Sequence, residues 1–268
     1  MASSVPERGS GGAPAALVLL AAAAGAFFVL PLVGLLSGTP WDSARTLLTS
    51  PEALTALRLS MLASLSATVI ALIVGVPLAW VLARLEFPGR AVLRALTVLP
   101  MVLPPVVGGV ALLLAFGRRG LLGAWLSDAF GIHLAFTTLG AILAETFVAM
   151  PFLVITVEAG LRQMDRRFED AARTLGARRW RVLWRVTLPL IRPSLVAGAV
   201  LCWARALGEF GATITFAGNF PGRTQTLPLA VYLALETNPG AAAVLSLLLL
   251  GVSLAVLVAL RDRWLGSA

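Results

Sequence analysis

The segment DAARTLGARRWRVLWRVTLP, residues 170–189, is basic and partly amphipathic, and it lies between apolar runs at about 136–158 and 190–215. Apolar runs of about twenty residues are long enough to span a bilayer as helices. The basic segment is therefore a loop that remains outside the hydrocarbon core, and we expect it to contact another molecule there. This arrangement predicts an all-α integral membrane protein.

The composition of the chain supports a membrane-spanning fold. The chain has 268 residues, of which 59% are hydrophobic and 13% are charged, about half the charged fraction of ~25% in soluble domains. We predict one transmembrane domain over 15–262, with a disordered tail at 1–14 and a short tail at 263–268. Its six expected transmembrane helices cover about 15–37, 57–83, 92–116, 136–158, 190–215 and 241–260.

The third of these runs contains helix-breaking residues. Pro100, Pro104 and Pro105 are followed by Gly108 and Gly109. Proline removes a backbone donor and obstructs the preceding turn, so we expect a kinked or broken helix. Such breaks occur at membrane depth where protein or a water-filled path covers the freed backbone groups.

The distribution of arginine predicts the orientation. Arg supplies all 21 cationic residues. If both termini are cytoplasmic, the tally is fifteen Arg inside, five outside and Arg205 within a span, as the positive-inside rule requires. The +8 charge therefore reflects topology. No Arg cluster is interleaved with base-stacking aromatics, so we do not expect nucleic-acid binding.

Several kinds of site are disfavoured by the residue inventory. Because Lys is absent, the chain cannot contain a P-loop, whose Lys contacts nucleotide phosphates. If ATP drives this protein, another chain binds the nucleotide. Cys202 and His133 are single and far apart, so they are weak candidates for a metal ligand or a nucleophile.

The loop at 159–189 is predicted to form two short helices separated near Gly176. In the first, small and apolar residues recur at helical spacing and form one stripe, consisting of Phe168, Ala171, Ala172 and Leu175. Asp165, Glu169 and Asp170 lie near its start, where they favour the helix dipole. Gly176 is expected to act as a C-cap or a close-contact residue.

The second helix is expected to lie at the membrane surface. Trp180, Leu183, Trp184 and Thr187 fall on one face, and Arg178, Arg181 and Arg185 fall on another. This pattern is typical of interfacial helices that bind anionic lipid. An Arg cluster that only sets the membrane topology and anchors the loop at the membrane surface would explain 178–189 equally well.

A second group of candidate residues lies in and around the later spans. Arg205 and Glu209 are four residues apart and share a helix face, and Glu145 is a further intramembrane acid. Charges at that depth usually face a bundle interior or a wet cavity. We consider Arg205, Glu209, Glu145 and Asn219 as pathway or gate residues. The alternatives are a structural Arg205–Glu209 pair, and Glu145 as a packing residue or as a partner of Arg205.

The loop resembles the cytoplasmic loop of ATP-binding-cassette importer permeases. Their pattern is EAA, three residues, G, nine residues and I-x-L-P. Here Asp170 replaces the first Glu, Val186 replaces the Ile, and Ala171, Ala172, Gly176, Leu188 and Pro189 match. The stretches LPMVLPPVVGG (99–109), AFGRRGLLG (115–123) and GEFGATITFAGNFPGRTQTLPLAVY (208–232) are similar to molybdate importer permeases.

This resemblance implies a function and a set of partners. It implies a homodimeric permease in the inner membrane of a prokaryote, with cytoplasmic ATPase subunits and an external oxyanion-binding protein. ATP and Mg would bind the ATPase, and this chain would hold no cofactor. A coupling helix between the fourth and fifth spans would dock into the ATPase through Glu169, Asp170, Ala171, Ala172, Gly176, Leu188 and Pro189.

Other functions remain open at this point. Sulfate and tungstate permeases share much of the pattern, so the cargo could be any of these oxyanions. A self-sufficient channel or secondary carrier would need no docking helix. A membrane-embedded enzyme would need a nucleophile with a base, or clustered acids, whereas the acids here are scattered.

Overall fold

The computed structural model describes residues 15–265, which are helices joined by short connections. The predicted tail at 1–14 lies outside the described residues, as do 266–268. The helices, in chain order, are α1 Ala15–Ser37, α2 Trp41–Leu48, α3 Pro51–Arg84, α4 Arg90–Val102, α5 Pro105–Phe116, α6 Gly123–Phe130, α7 Thr138–Gln163, α8 Arg167–Thr174, α9 Arg179–Val182, α10 Leu188–Leu190, α11 Arg192–Leu207, α12 Gly211–Ala217, α13 Leu227–Thr237 and α14 Pro239–Leu265. A π-helical turn, Leu183–Thr187, joins α9 to α10.

The core of the fold is the packing of α3, α7 and α11. Small residues recur every four positions along α3, at Ala63, Ala67, Ala71, Gly75 and Ala79. They form a flat stripe that lets α7 approach closely. A Cβ added at Gly75 would lie 3.0 Å from Leu153 Cδ2 of α7. Small residues therefore set this helix crossing.

The six apolar runs all contain helix, but two of them are interrupted. The predicted break in the third run is confirmed, because α4 ends at Val102 and α5 begins at Pro105. The fifth run was expected to be one helix over 190–215. It is instead divided into α11 and α12 by Gly208, Glu209 and Phe210.

Four described helices are long and apolar enough to cross a membrane, namely α1, α3, α7 and α14 over 239–256. A fifth is reached if Arg179–Leu190 and Arg192–Leu207, which are bent by 72° relative to each other, form one span. α4 and α5 are separately too short, because the proline break divides their run. The sixth crossing therefore stays a prediction.

Three helices were not predicted. α2 and α6 are eight-residue amphipathic helices in connections, and α13 lies between the expected fifth and sixth spans. α13 packs against α3 and α14 through Leu227, Val231 and Ala234. Short helices of this kind give a weak periodic signal beside runs of twenty apolar residues.

Candidate functional site

The α8 helix is capped at its C-terminal end by Gly176, which has a left-handed conformation. Gly176 has φ +81°, and its amide donates to Arg173 O at 2.9 Å. The Ala177 amide donates to Ala172 O at 3.0 Å. These two bonds form a Schellman cap. A Cβ at Gly176 would meet nothing within 4 Å, so within this chain the glycine is required by its backbone angle and not by a close contact.

The two acids at the start of α8 point in different directions. Asp170 is exposed and pairs with Arg173 at 3.1 Å. Glu169 is buried, and its Oε1 accepts from Thr187 Oγ1 at 2.7 Å and from Arg84 Nη2 at 3.3 Å. Glu169 therefore connects α8 to the π-helical turn and to the end of α3. It does not lie on the exposed face of α8.

The predicted apolar stripe of α8 is uncovered in this chain. Phe168 is 56% exposed, Leu175 is 88% exposed, Ala171 is also exposed, and Ala172 is half-buried. These apolar side chains of α8 are not covered by any other part of the described chain. The burial of Glu169 against Thr187 and Arg84 was not predicted from the sequence.

The segment 179–190 is helical, but the faces predicted for it are divided by the π-helical turn. Trp180 and Trp184 are exposed and in edge-to-face contact at 5.8 Å. Thr187 was expected on the same face but is buried against Glu169. A π turn holds more residues than an α turn, so it rotates the residues after Leu183 relative to those before it.

Leu188 and Pro189 lie at the bend into α11 and not at its start. Leu188 is half-buried and packs against the α3–α7–α11 core, whereas Pro189 is exposed. The helix continues to Leu190, and the chain turns at Ile191 before α11 begins. The proline is tolerated because it lies in the first turn of α10.

The predicted Arg205–Glu209 pair is confirmed. Arg205 Nη2 lies 2.6 Å from Glu209 Oε2, and Glu209 is buried. Glu209 Oε1 also accepts from the Ala212 amide at 2.8 Å, which caps the start of α12. The carboxylate thus holds the break between α11 and α12.

Glu145 is not the partner of Arg205. Its side chain is buried, and its Oε2 has no hydrogen-bond partner among the described residues. Other buried polar atoms without a hydrogen-bond partner among the described residues concentrate along 203–226, and they are Trp203 Nε1, Glu209 Oε2, Thr213 Oγ1, Asn219 Oδ1, Gln225 Nε2 and Thr226 Oγ1. Of these atoms, Glu209 Oε2 has the Arg205 ion pair but no hydrogen bond of suitable geometry. Buried polar groups are normally hydrogen-bonded to protein or to water. Their concentration here indicates a hydrated region.

Close helix contacts surround this region. A Cβ at Gly109 would lie 2.6 Å from Thr215 Cβ, and one at Gly211 would lie 2.8 Å from Pro105 Cβ. The start of α5, which follows the proline break, is thus packed directly against α12. Gly108 and Gly109 were expected only as part of the broken helix, and this crossing was not predicted.

The comparisons with known proteins give the family of the chain. Residues 75–267 match the model of the "binding-protein-dependent transport system inner membrane component" family. The chain belongs to this family. It is therefore an inner-membrane transport component with several membrane-spanning helices.

Individual relatives agree with that assignment. The chain is 51% identical over 249 residues to the molybdenum transport system permease protein ModB of Mycobacterium tuberculosis, covering 92% of this chain and 93% of that one. It is 38% identical to the sulfate transport system permease protein CysT of Escherichia coli, covering 82% of this chain and 81% of that one.

A solved structure agrees on the fold. A bacterial ABC transporter involved in alginate import matches with a TM-score of 0.76 at 18% identity, covering 93% of each chain. The fold of this inner-membrane component is therefore that of ABC importer permeases.

Proposed function

We propose that this chain is the membrane-spanning permease subunit of an ATP-driven importer that moves molybdate into the cytoplasm. The observation that carries the proposal is the 51% identity to a molybdenum permease over 92% of the chain. The lower identity of 38% to a sulfate permease favours molybdate over sulfate.

The proposed topology has six crossings with cytoplasmic termini. α1, α3, α7 and α14 each cross once, α4 with α5 forms a broken crossing, and α11 with α12 forms another. Kinked crossings are tolerated where neighbouring helices cover the freed backbone groups, as α12 and α7 do for α5. The arginine excess favours placing α8 on the cytoplasmic side.

The proposed energy source is a separate ATPase that binds α8. The apolar face of Phe168, Ala171 and Leu175 is exposed, and the chain has no Lys with which to build a P-loop. ATP and Mg would therefore bind the partner. An external oxyanion-binding protein and a second copy of the permease would complete the importer.

Glu169 gives α8 a mechanical connection to the membrane domain. Thr187 and Arg84 both bind its carboxylate. Thr187 precedes the bend into α11, and Arg84 ends α3. Closure of the ATPase dimer would shift α8, and the buried contact would transmit the shift to both helices. Alternating access would follow from their movement relative to α5 and α12.

The proposed path for the anion runs beside the α11–α12 break. Arg205, Glu209, Glu145 and Asn219 supply the polar groups, and Arg205 is 29% exposed at its side chain. A partly exposed guanidinium attracts an oxyanion while its carboxylate partner prevents tight retention. A guanidinium with this balance of attraction and competition would bind a passing anion weakly and release it again.

Transport should be measured in vesicles that contain the permease, its ATPase and the binding protein. We expect ATP-dependent molybdate uptake that excess tungstate inhibits more strongly than excess sulfate. Equal uptake of sulfate would assign the chain to the sulfate permeases. Uptake that continues without the ATPase would indicate a self-sufficient carrier and would refute the proposal.

The α8 docking assignment has a matched test. Gly176→Trp places a large side chain where a Cβ meets nothing in this chain, so it should block the ATPase and uncouple hydrolysis from transport. The control is Gly131→Trp, because Gly131 is also a left-handed C-cap with open space around it. Equal ATPase binding by both variants would exclude docking at α8.

A further inference from the structure

A polar cavity lies beside α8, where three helices end or begin. Its volume is about 650 Å³, and it is lined by side chains from the end of α3, the start of α4 and the end of α7. The charged ones are Arg84, Glu86, Arg90, Arg162 and Arg166. The cavity is separate from the Arg205–Glu209 region and from the exposed apolar face of α8.

The charges around this cavity do not balance. Five arginines gather here, namely Arg84, Arg90, Arg94, Arg162 and Arg166, and they face the three carboxylates of Glu86, Glu158 and Glu169. The net charge is therefore +2 when every group is ionised. Like charges gathered around one cavity repel one another, and an anion between them reduces this repulsion.

Intrachain acceptors are shared and do not satisfy the group. The Leu82 carbonyl accepts from Arg90 at 2.6 Å, from Arg94 at 3.3 Å and from Arg162 at 3.4 Å. Glu158 is likewise shared, by Arg94 and by Arg162 at 2.8 Å. Each guanidinium carries five N–H donors. The hydrogen bonds to these two shared acceptors do not use all of them.

Two arginines retain unused donors. Arg84 has a side chain that is only 7% exposed, and its Nε has no hydrogen-bond partner among the described residues. A buried charged donor without an acceptor is costly. Arg166 lines the same cavity and forms no ion pair with any residue that the structure describes. The Arg166 guanidinium is therefore available to an anion in the cavity, and Arg84 lines the same cavity.

We propose that this cavity binds a tetrahedral oxyanion of the phosphate type, held by Arg84, Arg90, Arg162 and Arg166. The guanidinium fork matches phosphate oxygens in pairs. Because α3 is an apolar span that ends at Arg84, the cavity lies at a membrane surface. Basic cavities between membrane helices at that level bind anionic headgroups. The phosphate of an anionic lipid and a free oxyanion, such as inorganic phosphate or the transported anion, share this chemistry.

The bound anion would also support α8. Arg84 contacts Glu169, and Arg166 precedes α8 directly. An anion between these two arginines would reduce their mutual repulsion and hold the base of α8 against α3. Occupancy of the cavity would therefore set how firmly α8 is positioned.

The test uses the full chain in vesicles of neutral phosphatidylcholine, with and without phosphatidylglycerol, phosphate or molybdate. We expect phosphatidylglycerol to raise the midpoint of thermal unfolding and to remain bound after detergent extraction. The double variant Arg162→Gln/Arg166→Gln should retain the lipid about 30-fold more weakly, given the attraction of each interfacial arginine. Arg167→Gln is the control for the single variant Arg166→Gln, because it removes the same single charge one residue away and outside the cavity lining.

Each outcome decides the proposal. A rise with phosphate or molybdate in neutral vesicles, abolished by the double variant but not by the control, would support the site with a free oxyanion as its ligand. If none of the three anions changes the unfolding midpoint of the unmodified chain, the site does not exist. If Arg166→Gln instead weakens only ATPase binding, the cavity receives an acidic side chain of the partner and the proposal is wrong. The comparison of the unmodified chain across vesicles does not depend on how any variant folds, and the variants are compared only where their unfolding midpoints in neutral vesicles equal that of the unmodified chain.

Discussion

Thr187 donates a 2.7 Å hydrogen bond to Glu169 across a separation of 18 residues, and both side chains are buried. Arg84, 85 residues before Glu169, binds the same carboxylate oxygen at 3.3 Å. One carboxylate thus holds together α8, the π-helical turn and the end of α3. Loss of the carboxylate should loosen all three at once.

Glu169→Ala should destabilise the chain by about 3 kcal/mol, because it leaves Arg84 buried without its counter-charge. Arg84→Met in the same chain should recover part of that loss, since it removes the unpaired charge. Asp170→Asn is the control, as its pair with Arg173 is exposed and should contribute less than about 1 kcal/mol. Thermal unfolding in detergent would measure all three. Equal effects of the Glu169 and Asp170 substitutions would contradict the buried role.

Thr187→Val should test the hydrogen bond without changing the side-chain volume. The hydroxyl donates to a charged acceptor, so its loss should cost about 2 kcal/mol. Thr187→Ser keeps the donor and should remain near the unmodified stability. In the assembled importer, Thr187→Val should also lower the molybdate imported per ATP hydrolysed. Unaltered coupling in a folded variant would remove Thr187 from the proposed connection.

Gly176→Ala should destabilise α8 by about 1 kcal/mol through its backbone alone. The residue has φ +81°, and a Cβ there meets no atom within 4 Å, so the cost comes from the left-handed conformation. Gly176→Asn should cost less, because Asn tolerates that region. Hydrogen exchange of the Gly176 and Ala177 amides would report the cap directly. Equal protection in all three chains would mean that the cap does not depend on glycine.

The sequence predicted the α8 region better than it predicted the span boundaries, for a physical reason. The cap at Gly176 and the apolar stripe from Phe168 to Leu175 are formed by residues close in sequence. Local periodicity is therefore enough to predict them. The Glu169 contacts with Arg84 and Thr187 join residues that are distant in sequence. They also require a π-helical turn, which no periodic pattern predicts. The break at Gly208–Phe210 was missed because apolar residues continue on both sides of it. Within the break, Glu209 accepts from the Ala212 amide, a contact that no periodic pattern shows.

Glu209→Ala should affect both the fold and the proposed path. It removes the cap on α12 and leaves Arg205 without its 2.6 Å partner, for an expected cost of about 3 kcal/mol. Glu209→Gln retains an oxygen acceptor for Ala212 and should fold, but it leaves the Arg205 charge free to hold an anion. Molybdate uptake by Glu209→Gln should therefore show a lower KM and a lower maximal rate. An unchanged KM would place Arg205 outside the path.

Gly109→Ala should disrupt the crossing of α5 and α12. The new Cβ would lie 2.6 Å from Thr215 Cβ and 2.9 Å from Ala212 O, and the backbone oxygen cannot move aside as a side chain can. We expect a loss of about 2 kcal/mol, typical of overpacking in a close-packed interior. The matched control is Gly108→Ala, whose Cβ would meet only the Phe147 ring at 3.2 Å. Because that ring can rotate away, Gly108→Ala should cost less than half as much. Thr215→Gly in the Gly109→Ala chain removes the contacted Cβ but should not restore stability, since the Ala212 oxygen still obstructs the methyl group. Recovery with Thr215→Gly would show that the side-chain contact, and not the backbone, sets the distance between α5 and α12.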